Sequence, residues 1–393
     1  MRRNRHFNDV AEKYLFLEVQ EKKEFFLQKN PDAKLISLCV GDTTEPLAQT
    51  IAEAMQESAS NMATSSGYCG YGPEVGLLKL RLAIAEKIYN GQFSPDEIFI
   101  SDGAATDIGR LQTLFGAGSK IAIQDPSYPA YLDTSIITHG KKSVILLPCT
   151  PENNFFFDLN RAKKADIIFI CSPNNPTDRL YNYKELDLLI QFATEYKKVI
   201  ICDSAYSFFV QEGLPHSIYD VEGAKNVAIE IGSFSKMAGF TGIRLSWTVV
   251  PHALCYPKEK TPINPDWTRL VSTFYNGASC ISQHGGLAAL SDQGLAEIKK
   301  QAAFYLQNAA ILKRGCEASF ETFGGVNTPY LWIALKGKSS WQAFDELLER
   351  CHIVATPGIG FGPSGEGFLR LSGFGARKTM EEAAQRLAQF QFT

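Results

Sequence analysis

The chain has 393 residues, 45% hydrophobic and 21% charged, ample for a sizeable core in one large domain or two. Its 39 Lys plus Arg against 42 Asp plus Glu give a formal charge of -3 with no long single-sign run, which argues against nucleic acid or anionic membrane as the main partner. The basic start MRRNRHFNDV leads into polar sequence, and the longest apolar runs, such as ADIIFICSP, are strand-sized, far short of the roughly 20 residues of a membrane helix, so a soluble cytoplasmic protein is expected.

In chain order, the strand candidates are IFISDG (98–103), KIAIQDP (120–126), DIIFICSP (166–173), KVIICDSAY (198–206) and NVAIEIGSF (226–234). Each is an apolar run ending in polar or glycine residues, as expected of parallel strands covered on both faces. Helical patterns lie between them: TDIGRLQTLF (106–115) and YKELDLLIQFATEY (183–196), the latter with Leu186, Leu189, Ile190 and Ala193 on one stripe. After about Asp292 the texture changes to a long amphipathic helix (294–323), then YLWIAL (330–335), the helix SSWQAFDELLERC (339–351), short strands and a final helix. This order predicts an α/β domain with a mostly parallel sheet over 46–290, and a smaller α+β domain built from 1–45 and 291–393. Nine cysteines without a C-x-x-C pair read as free thiols in a reducing compartment, and no metal site is expected.

Ligands of α/β sheets sit at the carboxyl ends of the strands. There the chain offers SDGAATD, whose Ala104 and Ala105 open a helix with free N–H groups. Next come Tyr128 between prolines in QDPSYPAY, Asn175 in SPNNPT, Asp203 and Tyr206 in CDSAY, and Ser233, Ser235, Lys236 and Arg244 in GSFSKMAGFTGIRLSW. Together these are the parts of a pyridoxal phosphate site. A lysine amine must condense with the cofactor's aldehyde, and a carboxylate must pair with its ring nitrogen; Lys236 and Asp203 suit those roles. Ser233, Ser235, the helix start at Ala104 and Ala105, and Arg244 suit the phosphate. Tyr128 suits the ring face, and Asn175 and Tyr206 suit the 3-oxygen. Lys236, once displaced by the amino acid, would move the proton at the substrate's α-carbon. The G-x-G-x-x-G match GFGPSG (360–365) has no following helix and fails the context required of a dinucleotide site.

SLCVGDTTEP, GYCGYGPEVG, SDGAATDIGRLQ, QDPSYPAY, CSPNNPT, SFSKMAGFTGIRLSWTVVP, YNGASCISQHG and TPGIGFGPSGEGFLRLSGFG resemble the LL-diaminopimelate aminotransferase family of fold-type I pyridoxal phosphate enzymes, from Tyr14 to Gly375. The resemblance implies a homodimer with shared active sites. Within it Arg370 clamps the substrate's α-carboxylate with help from Gly41 and Asn175, and Tyr14 binds the distal end with Tyr71, Glu74 and Asn276 of the partner subunit. It implies amino-acid and 2-oxo-acid substrates: LL-diaminopimelate and 2-oxoglutarate interconverted with tetrahydrodipicolinate and glutamate, in lysine biosynthesis. Another fold-type I aminotransferase, acting on aromatic amino acids, alanine or aspartate, or a lyase, is the alternative. Two positions depart from the family pattern: Ala105 stands where relatives carry a lysine, which implies broader substrate tolerance, and Asp178 stands where they carry a glycine. The Asp178 side chain is expected to point to solvent.

Overall fold

The computed structural model describes residues 1–39 and 41–392; Val40, inside the SLCVGDTTEP motif, and Thr393, at the end of the expected small domain, lie outside the described residues. The chain runs through α1 (Leu15–Lys29), β1 (Ile36–Ser37), α2 (Gln49–Asn61), α3 (Leu78–Lys87), β2 (Ile98–Ser101), α4 (Ala104–Leu114), β3 (Ile121–Asp125), α5 (Pro129–His139), β4 (Val144–Pro148), β5 (Ile167–Cys171), α6 (Tyr183–Glu195), β6 (Val199–Asp203), β7 (Ala228–Ser233), α7 (Phe234–Met237) and β8 (Ser246–Val249). It continues with α8 (Ile263–Phe274), α9 (Cys280–Ala289), α10 (Asp292–Glu317), β9 (Thr322–Gly324), β10 (Tyr330–Ala334), α11 (Ser340–Cys351), β11 (Ile353–Val354), β12 (Thr356–Pro357), β13 (Phe368–Ser372) and α12 (Arg377–Ala388).

A seven-stranded sheet takes the order β2-β8-β7-β6-β5-β3-β4. Pairings from β7 through β6, β5 and β3 to β4 are parallel, and only β8 runs against its neighbours β2 and β7. The five expected runs all form strands, and β2, β3, β5, β6 and β7 are buried at every position, which is why their sequences are mostly apolar rather than alternating; Glu230, inside β7, is buried with Tyr89, Ser217 and the Ile218 N–H as donors. The Leu186, Leu189, Ile190 and Ala193 stripe of α6 is buried, as its spacing requires. The expected long helix ends at Glu317, and Thr322–Gly324 instead forms β9 at one edge of a four-stranded sheet ordered β12-β13-β10-β9. Parallel pairing of Ile36 with Ile353 ties the amino-terminal segment to the later strands. Among the described residues no helix is long and apolar enough to cross a membrane.

The direction of β8 matters for chemistry. Because β8 is antiparallel, the loop preceding it returns to the carboxyl edge of β2 and β7, and it carries Arg244 there. Ser246 Oγ lies 2.9 Å from Ser101 Oγ and accepts the Gly103 N–H at 3.1 Å, so the start of β8 braces the turn that opens α4.

Candidate active site

A cavity of about 430 Å³ opens at the carboxyl ends of β2, β3, β5, β6 and β7. Every residue read from the sequence as cofactor-binding lines it: Ala104, Ala105, Tyr128, Asn175, Asp203, Tyr206, Ser233, Ser235, Lys236 and Arg244, with Gly41 and Arg370 beside them. Their convergence follows from the parallel strands, which end side by side.

One end of the cavity is built for an anion. Gly103 has φ 135°, and a Cβ there would come within 2.0 Å of Arg244 Nη2, so only glycine lets the guanidinium lie against the start of α4. Arg244, itself at φ 66°, is held by Thr241 O at 2.9 Å and Ser235 Oγ at 3.4 Å from Nη1. The first N–H groups of α4 have no partner within the helix, and the helix dipole adds to their pull on negative charge. Cation, hydroxyls and helix start thus meet at one point.

The middle of the cavity holds a carboxylate and an amine. Asp203, at the end of β6, is buried; Tyr131 Oη donates to its Oδ2 at 2.6 Å and the Ala205 N–H to its Oδ1 at 2.9 Å. Burial pushes this carboxyl above its usual range, against the pull of those donors. Tyr131 was not singled out in the sequence; it sits one turn after Tyr128 on α5, against Phe169 of β5, and fixes Asp203 from across the sheet. Lys236, in the short helix α7, donates to Gly41 O. Burial lowers its ammonium to about 8, with Arg370 and Arg244 adding to the fall and Asp42 opposing it.

Arg370, on β13, closes the other side and is 1% exposed. Nη1 donates to Asn175 Oδ1 at 2.7 Å and Nη2 to Cys39 O at 2.6 Å, while Nε has no partner. Its carbon lies over the Tyr330 ring at 4.4 Å, Phe361 at 4.9 Å and Phe16 at 5.7 Å. No carboxylate pairs with this buried guanidinium among the described residues. Tyr330, which also meets Tyr206 Oη at 2.9 Å, was missed in the sequence, where it stands at the head of an ordinary apolar strand. A Cβ on Gly41 would fall 2.4 Å from Tyr330 Oη, so this glycine is demanded by close packing.

Tyr14, the residue just before α1, does not line this cavity but a neighbouring one of about 530 Å³; burial first, then Tyr128, raise its phenol. Tyr71, Glu74 and Asn276 are exposed and likewise stand outside this chain's own cavity. They lie near one another, since a Cβ on Gly277 would come within 3.0 Å of Pro73 O.

Asp178 corrects an expectation. It is 4% exposed, not turned to solvent: its carboxylate accepts the Asn327 N–H at 3.0 Å and the Val326 N–H at 3.2 Å, clasping the turn between β9 and β10. Its φ of 66° is the left-handed conformation that glycine adopts freely and Asp tolerates. The GFGPSG stretch makes a similar clasp: Ser364 donates through Oγ to Asp125 Oδ2 at 2.7 Å, and a Cβ on Gly362 would strike Asp125 Oδ1 at 2.1 Å. Gly362 serves packing against the end of β3, Gly360 against Leu15 of α1 and Gly365 against the Gly358 backbone.

Residues 33–387 match the model of the family described as aminotransferase class I and II. The chain is 46% identical to the LL-diaminopimelate aminotransferase of Protochlamydia amoebophila (strain UWE25), over 98% of this chain and 97% of that protein. It is 45% identical to the chloroplastic LL-diaminopimelate aminotransferase of Arabidopsis thaliana, over 98% of this chain and 86% of that one. Among solved structures, the L,L-diaminopimelate aminotransferase from Chlamydomonas reinhardtii superposes with a TM-score of 0.94 at 46% identity, covering 98% of each chain.

Proposed function

The chain belongs to the class I and II aminotransferases, and among them to the LL-diaminopimelate aminotransferases; on that premise we propose how its own residues perform the reaction. It is a pyridoxal phosphate-dependent transaminase that interconverts LL-2,6-diaminopimelate plus 2-oxoglutarate and tetrahydrodipicolinate plus L-glutamate.

The residues present fit the cofactor. A glycine cradle against Arg244 suits a phosphate, Asp203 offers a buried carboxylate for a ring nitrogen, and Lys236 offers a desolvated amine in the same cavity. Bound there, pyridoxal 5'-phosphate supplies the electron sink that a free amino acid lacks. Tyr131 and the Ala205 N–H keep Asp203 oriented, Tyr128 covers the cavity beside Tyr131, and Tyr206 is held by Tyr330. Lys236 takes the proton from the substrate's α-carbon and returns it on the other side of the exchange; an ammonium lowered to about 8 leaves a usable fraction of free amine near neutrality.

The observation that carries the reading is Arg370. A buried guanidinium with no carboxylate partner is costly. Its unpartnered Nε, with Asn175 and Gly41 beside it, awaits the α-carboxylate of an amino acid. At the far end, Tyr14 is joined in this proposal by Tyr71, Glu74 and Asn276 of a second copy, a mixture of donors and an acceptor that suits a second zwitterion. The exposure of Tyr71 at 90%, Tyr68 at 71% and Phe274 at 65% supports a homodimer that covers them. The same proposal assigns 46–290 to the cofactor-holding unit and 1–45 with 291–393 to the smaller one, supported by the pairing of β1 with β11. Free cysteines throughout support a reducing, cytoplasmic setting.

The test is glutamate formation from 2-oxoglutarate with LL-diaminopimelate, aspartate, alanine or phenylalanine as donor. LL-diaminopimelate is expected to lead in kcat/KM, and a faster reaction with any of the other three would move the enzyme to another branch of the family.

A further inference from the structure

Two segments that the reaction leaves unconnected meet at a pair of cysteines. Cys69 lies in the turns between α2 and α3, and Cys280 opens α9. Of the nine free cysteines only Cys69, Cys255 and Cys280 escape full burial, and two of these three, Cys69 and Cys280, line one cavity, where Cys69 helps to raise the Cys280 thiol. Both face a cavity of about 660 Å³ between α2 and α9, whose wall also carries Ser58 and His284. His284 sits one turn after Cys280, its Nδ1 3.9 Å from Cys280 Sγ and 2.9 Å from Ser58 Oγ.

The surroundings let the sulfurs close the remaining gap. The stretch around Cys69 has neither helix nor strand, and a Cβ on Gly70 or Gly72 would meet nothing within 4 Å, so the backbone beside Cys69 has room to shift. The four glycines of 67–76 keep that stretch pliable.

We propose that Cys69 and Cys280 form a thiol–disulfide site that reacts reversibly with low-molecular-weight disulfides of the glutathione class. The Cys69 thiolate attacks one sulfur of the small disulfide, making a mixed disulfide and releasing one small thiolate. Cys280 then yields its proton, attacks the Cys69 sulfur and expels the second small thiolate. Two protein thiols lose two electrons and two protons, and the small disulfide is reduced to two thiols. The order of attack follows from the pair: burial first, then the neighbouring Cys69 thiol, push the Cys280 thiol up to about 11, so Cys280 keeps its proton until the second step. His284 is placed to receive that proton. In the reducing compartment proposed above the pair rests as thiols, and it closes when the disulfide pool rises. Closure ties the segment of Tyr71 and Glu74 to the helix that follows Asn276; that consequence, unlike the bond itself, rests on the shared-site reading.

The experiment uses the full-length, cofactor-loaded protein in graded mixtures of oxidised and reduced glutathione, with native thiol counting and peptide mapping. Loss of two thiols per chain beyond any capping of Cys255, a Cys69–Cys280 linked peptide and full reversal by dithiothreitol are expected. Cys280→Ser should stop at glutathione-capped Cys69, Cys69→Ser should leave Cys280 unreacted, and both variants should keep wild-type turnover in reducing buffer. Cys255, half-exposed and alone, is the internal control. Absence of the linked peptide under conditions that cap Cys255 overturns the proposal, as does a Cys280→Ser variant whose Cys69 stays free. The mass of the assembly is read on the same sample, so a monomer that still cross-links overturns the homodimer alone.

Discussion

The clasp at Asp178 makes stability depend on pH in a way that one substitution isolates. Burial lifts this carboxyl from 3.8 to about 7, outweighing the N–H groups of Val326 and Asn327 that favour its charge. A carboxyl raised in the folded state binds its proton more tightly there than in the unfolded chain. Its stabilising contribution is therefore full below about pH 4 and is lost as pH climbs through about 7. Between about pH 5.5 and about pH 8 the folded protein gives up close to one proton that the unfolded chain has already lost, equivalent to about 1.5 pH units of differential binding. At about 1.4 kcal/mol per unit, that is roughly 2 kcal/mol. Asp178→Asn keeps an acceptor and tolerates the left-handed backbone at φ 66°, but cannot ionise. Urea unfolding of both proteins at the two pH values is the assay: the wild type should lose roughly 2 kcal/mol relative to the variant on going to the higher pH. A stability gap that is the same at both values would refute the reasoning, because it would mean the carboxylate is not desolvated as the structure requires.

Three further outcomes follow from the site. Capture of pyridoxal phosphate by the apo-protein should accelerate with pH through about 8, where Lys236 loses its proton, and then level off; a rate still climbing towards the ordinary lysine range would contradict the desolvation of Lys236. Ala105→Lys should restore a cation at the cavity wall and raise the preference for LL-diaminopimelate over singly carboxylated donors by about tenfold, the effect of roughly 1.4 kcal/mol, and an unchanged donor profile would remove Ala105 as a determinant of breadth. Mixing inactive Lys236→Ala with inactive Tyr71→Ala should regain activity, because a heterodimer carries one site with intact Lys236 facing an intact Tyr71; no recovery would refute the shared site.

Much of this architecture was legible because the chemistry sits at strand ends, and the strands are buried on both faces. Their largely apolar sequences mark both the sheet and the points where polar residues begin, which is how Asn175, Asp203 and Lys236 could be placed in one cavity from sequence order. The direction of β8 was not legible, since Ser246–Val249, with two hydroxyl residues in four, gives no directional signal and its antiparallel pairing is decided by neighbours on both sides. Tyr131 and Tyr330 were missed for a related reason: their phenols act on Asp203 and Tyr206, 72 and 124 positions away, and no local period reports such contacts. Asp178 was misread because the turn that buries it lies 148 or 149 positions along the chain. Tyr71, Glu74 and Asn276 drew attention only through resemblance, since nothing in their spacing distinguishes a residue that serves a second copy from a solvated one.

The central claim, that Lys236 and Arg370 together define a transaminase site for LL-diaminopimelate, is tested most directly by one spectroscopic titration. The visible absorbance of the cofactor-loaded protein would be followed as LL-diaminopimelate is added, with Lys236→Ala as the reference. The account predicts conversion of the lysine-linked cofactor to its amine form in the wild type, reversal by 2-oxoglutarate, and no conversion on the same timescale in the variant. A wild-type spectrum that LL-diaminopimelate leaves unchanged, or a Lys236→Ala protein that converts as fast, would contradict it.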